Sequence, residues 1–235
     1  MVECSIGCGE AAGSTPAQSM KNEKKMKGII FDFWGTLVEN GTYSPIKQTF
    51  KILNVRMPFS AFVEKFERIF MTKKYASKAE AFKAVCKGFN LDCNDSVIEK
   101  LIGLWNKNML LAKPYDETEI VLKGLKEKGI KLALAPNAPE QSIEPILEKF
   151  NLAQYFDVIM FSFEEGLIKT DKAFFEKAAK KLGLDKKDVM VVGDSIQSDI
   201  KGAENAGIKA ILMDRNNRRD FKEKITALSE LMEMV

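Results

Sequence analysis

Four charged residues stand where this chain could do chemistry. The run Gly28-Ile29-Ile30-Phe31 is apolar and ends on one carboxylate, Asp32, with a Gly35-Thr36 turn beyond it. A second apolar run, Val191-Val192-Gly193, ends on Asp194, and Asp199 follows where a helix is expected to begin. An acid at the carboxyl end of a buried strand sits where open α/β sheets bind ligands. Carboxylates that converge on one point repel unless a cation or a proton intervenes. Oxygen donors without His or Cys select a hard cation, and magnesium is the obvious candidate. The fourth residue is Lys169, after the Glu165-Gly166 turn and before a clear helical pattern. Read singly, Asp194 could cap a helix, Asp199 could be a surface acid and Lys169 one more lysine. Together with Asp32 on another strand end they favour a site.

The chain has no histidine. That removes Ser-His-Asp and Cys-His catalysis, His-ligated zinc and the HExxH proteases. Acid–base and metal chemistry must run on carboxylates, lysines and hydroxyls.

Positioning these residues takes strands and helices in alternation. A strand is expected at 28–31, and the next strand signal comes only at 130–135, far beyond an ordinary crossover. Residues 44–54, 58–71, 77–89 and 95–111 between them carry apolar positions at helical spacing, with Ser44-Pro45, Ser77 and Asn94-Asp95 as helix starts. Phe59, Phe62, Phe66 and Phe70 read as a packing stripe rather than a substrate box. After Pro114, helices expected at 117–128, 139–150, 171–182, 196–206 and 220–234 alternate with strands at 131–135, 158–161, 189–192 and 209–213. Gly129, Gly183 and Gly207 close helices. This is the pattern of an α/β fold with a parallel sheet buried on both faces and a four-helix subdomain inserted after the first strand.

The motifs resemble those of the haloacid dehalogenase (HAD) superfamily, over residues 27–235. The resemblance implies a Rossmann-like core, 27–39 and 114–235, with the first strand central, and a helical cap, 40–113. It implies that Asp32 is the nucleophile. Asp194, Asp199, Asp32 and the backbone carbonyl of Trp34 would form the magnesium site. Gly166-Leu167-Ile168-Lys169-Thr170-Asp171 is similar to the family's Gly-x-x-Lys-Pro-Asp, with Thr170 for proline, and makes Lys169 catalytic and substrate-binding. Asn137 falls at the family's second motif as a substrate contact, and Lys113-Pro114-Tyr115 resembles its hinge.

Two positions depart from the phosphatase pattern. Trp34 replaces the Asp that gives and takes protons, and an indole N–H donates without titrating. Pro136 replaces a hydroxyl donor and has no N–H of its own. The implied activity is a magnesium-dependent phosphatase working through an aspartyl-phosphate on a small phosphorylated metabolite, with atypical acid–base machinery. The aromatic Trp34 also keeps open a metal-free haloacid dehalogenase, and both departures keep open a catalytically impaired binding protein.

The bulk numbers set the remaining expectations. The 235 residues carry 36 Lys and Arg against 33 Asp and Glu, and the net charge of +3 suggests no nucleic-acid face. The cluster Arg215, Arg218, Arg219 lacks interleaved aromatics and reads as a solvated loop. No apolar run is long enough for a membrane span and no secretory signal is recognisable, so the expectation is a cytoplasmic protein, monomer or homodimer. Residues 1–26 read as a disordered tail. Cys4, Cys8, Cys86 and Cys93 show no metal spacing and are expected as reduced thiols.

Overall fold

The computed structural model describes residues 25–39, 44–139 and 142–235. The expected tail therefore lies outside the described residues, except for Lys25 and Met26, and Met26 packs against the core.

Six strands make one parallel sheet. They are β1 (Gly28–Phe31), β2 (Lys131–Leu134), β3 (Val158–Ile159), β4 (Val189–Gly193), β5 (Lys209–Met213) and β6 (Lys224–Ile225), in the spatial order β3-β2-β1-β4-β5-β6. β1 pairs with β2 on one side and β4 on the other, so the strand order reverses at β1. Side chains alternate between two faces, as the two-residue strand period requires. Ile29, Phe31, Leu132, Leu134, Met190 and Val192 enter one core; Ile30, Ala133, Val189 and Val191 enter the other.

Helices cover both faces. The insertion after β1 holds α1 (Pro45–Leu53), α2 (Phe59–Phe70), α3 (Lys78–Gly88) and α4 (Asp95–Leu110). The later helices are α5 (Thr118–Glu127), α6 (Glu144–Lys149), α7 (Ser162–Glu165), α8 (Lys172–Lys181), α9 (Lys201–Ala206) and α10 (Leu231–Met234). α5, α6 and α10 lie over the first core, and α8 and α9 over the second. Among the described residues no helix is long and apolar enough to cross a membrane.

The insertion has a third core of its own. Phe62, Phe66 and Phe70 are buried at four-residue spacing, and Trp105 of α4 closes on Phe66 and Phe70 with ring centroids 5.8 and 4.9 Å away. Phe59 belongs to the expected stripe but lies at its exposed rim, edge-on to Phe50. Ser77 and Asn94 cap α3 and α4, accepting from Glu80 N–H at 3.2 Å and Val97 N–H at 3.0 Å. The two connections to the sheet run side by side. Glu39 N–H donates to Lys113 O at 2.9 Å, and Tyr115 N–H donates to Leu37 O at 3.1 Å.

Four expectations are corrected. The helix expected at 139–150 begins only at Glu144, because Pro145 fits the first helical turn and cannot continue a helix from upstream. The strand expected at 158–161 stops at Ile159, where the chain turns into α7. The long helix expected at 220–234 is replaced by β6 and α10. Buried Asp214 accepts Arg219 N–H at 2.7 Å and lies 3.6 Å from the Lys224 ammonium, which folds 215–223 into a loop and sets Ile225 beside Met213. Cys86 and Cys93, expected as thiols, form a disulfide with Cα atoms 6.1 Å apart. Asn90, left-handed at φ 55°, reverses the chain after α3 and brings the two together. Cys4 and Cys8 lie outside the described residues.

Candidate active site

The register brings two acids together before any side chain is considered. Phe31 pairs with Val192, and the Asp32 N–H donates to the Val192 carbonyl at 2.9 Å. Asp32 and Asp194 therefore leave neighbouring strands at nearly one level. Beyond Asp32 the chain curls tightly, with the N–H groups of Leu37 and Val38 both returning to Phe33 O at 3.0 Å. Gly35 sits in this curl at φ 76°, a conformation that a side chain would resist. The curl carries Thr36 back over Asp32, and its Oγ1 donates to Asp32 Oδ2 at 3.2 Å.

After Asp194 the chain passes through one π turn, Ile196–Ile200, before α9. Such wide turns recur at functional sites. Here the turn points Asp199 back at the strand end, where Oδ2 accepts Ser195 N–H at 3.0 Å. Only glycine fits at 193, since a Cβ there would lie 2.3 Å from Asp199 Cγ.

Lys169 enters from the loop before α8 and is 2% exposed. Its ammonium donates to Asp32 Oδ1 and, at 2.6 Å, to Asp199 Oδ1. Burial alone would lower its pKa; Asp199 and Asp32 outweigh burial and hold it above the ordinary lysine value. The loop is braced from behind by α9: a Cβ on Gly202 would lie 2.2 Å from the Lys169 carbonyl oxygen.

One carboxylate oxygen from each of Asp32, Asp194 and Asp199 lies within 4.8 Å of the others. Three acids face one ammonium, so negative charge remains in excess. The strain shows in their proton affinities. Burial, then the charges of Asp32 and Asp199, raises the Asp194 pKa. Burial also raises that of Asp199, against the pull of Lys169. An all-oxygen donor set with surplus negative charge fits a hard divalent cation such as magnesium.

Asn137, three residues past the end of β2, is placed in the same group, but its amide is already engaged. Its Oδ1 accepts Lys169 N–H at 3.1 Å, and its Nδ2 donates to Glu67 Oε2 at 2.9 Å. Pro136 beside it is buried. Glu67 is the residue the sequence reading missed. It lies on α2 of the insertion, 7% exposed, one position after Phe66. Burial raises its pKa to about 7, moderated by Lys169 and reinforced by Asp199 and Asp32. Nothing local marks it out: Glu64, Lys65, Glu67 and Arg68 read as one solvated face. Its partner is 70 residues away.

The Trp34 carbonyl lies on the curl beyond Asp32, and the indole is half-buried, edge-to-face with Phe33 at 5.2 Å and packed on the core. The basic cluster expected as a solvated loop is partly structural. Arg215 stacks 3.4 Å over Tyr115 and donates to Thr36 O at 2.7 Å and Glu117 Oε1 at 2.8 Å. Arg219 donates to the Asp194 carbonyl, and Arg218 is exposed.

A family model described as haloacid dehalogenase-like hydrolase matches residues 26–207. The chain is 24% identical over 230 residues to a glyceraldehyde 3-phosphate phosphatase of Methanothermobacter thermautotrophicus, covering 89% of this chain and 98% of that protein. It is 29% identical over 195 residues to a phosphoglycolate phosphatase of Aquifex aeolicus, covering 80% and 84%. Its fold matches that of a HAD-hydrolase of Bacillus subtilis solved with magnesium bound, at TM-score 0.61 and 18% identity, over 89% of this chain and 98% of the other.

Proposed function

The chain belongs to the haloacid dehalogenase-like hydrolase family, and on that premise we propose that it is a magnesium-dependent phosphomonoester hydrolase acting through Asp32 on a small phosphorylated metabolite. The observation that carries this reading is the buried contact of Lys169 with both Asp32 and Asp199, at the edge of a three-carboxylate cluster.

Each residue then has a task. Asp32, steadied by Thr36 and Lys169, presents an oxygen to phosphorus and becomes the aspartyl-phosphate. Lys169 spreads its charge over the nucleophile and the arriving anion, which would otherwise repel. Asn137 braces the Lys169 loop by accepting the Lys169 N–H, and its amide would border the phosphoryl group. Asp32, Asp194, Asp199 and the Trp34 carbonyl would hold magnesium, which supplies positive charge against the phosphoryl oxygens. The insertion 40–113 would act as the cap that selects the substrate, and α2 already reaches the site. Small phosphorylated metabolites are substrates of the cell interior, so a cytoplasmic setting goes with this reading.

Two relatives carry two- and three-carbon phosphates in their names, and such esters are the first to assay. Phosphate release should require magnesium and should vanish in Asp32→Asn. Equal turnover by wild type and Asp32→Asn, or indifference to chelator, would overturn the reading.

A further inference from the structure

We propose that Glu67, carried on α2 of the insertion, is the acid–base residue of the reaction and replaces the proton traffic that Trp34 cannot carry. The inference rests on the phosphatase reading above and deepens it.

Outside the Asp32–Asp194–Asp199 cluster, the buried acids among the described residues are Glu67, Asp188 and Asp214. Asp188 is paired with Lys27 before the start of β1, and Asp214 organises the loop before β6. Glu67 alone of these faces the site. Its Oε2 is anchored on Asn137, whose other amide atom holds the Lys169 backbone.

A purely structural role fits Glu67 poorly. A buried carboxyl kept for stability is normally paired with a cation. Glu67 has a neutral amide as its partner, while the adjacent Arg68 fastens α2 to the sheet domain through Asp171. The groups that face it are Lys169, Asp199 and Asp32. Burial and the two acids favour its neutral form, Lys169 opposes them, and the balance leaves a carboxyl that holds its proton to about pH 7. A general acid works best when its pKa lies near the operating pH.

The proton ledger closes. In the first half-reaction an Asp32 carboxylate oxygen bonds to phosphorus, the bond from phosphorus to the ester oxygen breaks, and the Glu67 carboxyl gives its proton to the departing alkoxide. In the second, the Glu67 carboxylate takes a proton from water as that water's oxygen bonds to phosphorus. The bond from phosphorus to Asp32 breaks, releasing inorganic phosphate and restoring both side chains.

The test compares wild type, Glu67→Gln and the double variant Trp34→Asp/Glu67→Gln on phosphoglycolate and p-nitrophenyl phosphate. Glu67→Gln should lower kcat on phosphoglycolate by about 10²–10⁴-fold. It should still release one equivalent of p-nitrophenol in a burst while the covalent phosphoenzyme accumulates. The neutral limb of the pH–rate profile should disappear, and Trp34→Asp should restore turnover. Unchanged activity in Glu67→Gln, or equal losses on both esters with the pH profile intact, would overturn the Glu67 role and leave the phosphatase reading standing. Absence of Asp32-dependent turnover in wild type would overturn both. If Glu67→Gln does not fold, the wild-type enzyme decides: kcat/KM nearly independent of leaving-group pKa is expected, and a steep fall toward alkyl esters overturns the proposal.

Discussion

Arg68 grips Asp171 through both guanidinium nitrogens, at 2.9 and 3.1 Å, across 103 residues of sequence. One partner lies on α2 of the insertion and the other two residues beyond Lys169, so the pair ties the insertion to the loop that carries Lys169. Asp171 also accepts Ile168 N–H at 3.0 Å, which fixes the turn that presents Lys169. The pair is largely solvent-exposed, at 47% and 24%, and such pairs contribute about 1 kcal/mol at most. Arg68→Ala should therefore lower stability by less than about 1 kcal/mol and act mainly on KM. A several-fold rise in KM with kcat within twofold is expected from steady-state kinetics; a collapse of kcat would mean that the pair positions Lys169 directly.

Gly202→Ala tests the brace behind Lys169. The added Cβ would meet a backbone oxygen at 2.2 Å, and backbone cannot swing aside as a side-chain tip can. Overpacking of this kind costs about 1–3 kcal/mol. The expected result is that loss in urea denaturation, with kcat reduced at least tenfold. Normal kcat would show that α9 moves instead of the lysine loop.

Glu67 should leave a signature in stability as well as in rate. Its ordinary value of 4.5 rises to about 7 in the fold. Between these values the folded chain binds the extra proton, so this contribution is full below pH 4.5 and is lost as pH rises through 7. The shift corresponds to about 3 kcal/mol. Glu67→Gln should therefore gain on wild type by about that amount between pH 4.5 and pH 8, measured by chemical denaturation in the presence of chelator. Parallel stability curves for the two proteins would contradict the raised pKa.

Magnesium should stabilise the fold. A cation bound only by the native chain raises stability by about 2.7 kcal/mol at a hundredfold excess over Kd. Thermal unfolding of wild type should shift upward with magnesium, and the shift should disappear in Asp194→Asn. A variant that still responds like wild type would remove Asp194 from the metal site.

The sheet was legible because its strands are short, continuous and apolar, and because the acids fall on strand ends. Asp32 and Asp194 could be grouped from sequence because strand register decides which strand ends meet, whereas Asp199 and Lys169, on a turn and a loop, were placed beside them by the motif resemblance. Glu67 could not, because its significance lies in where α2 docks rather than in its own helix. The carboxyl-terminal segment reads as a helix from sequence alone for a similar reason: Lys224 and Ile225 become a strand only when β5 offers an edge. The Cys86–Cys93 bond depended on the left-handed turn at Asn90, which spacing does not reveal.

The paired connections at the root of the insertion have a topological consequence. Glu39 and Lys113 are separated by 74 positions yet stand one hydrogen bond apart, 2.9 Å from N to O. Everything between them departs and returns through the same doorway. A shorter, longer or unrelated segment could be spliced at that doorway without disturbing a single strand pairing. The sheet and the insertion can therefore change in length on separate schedules.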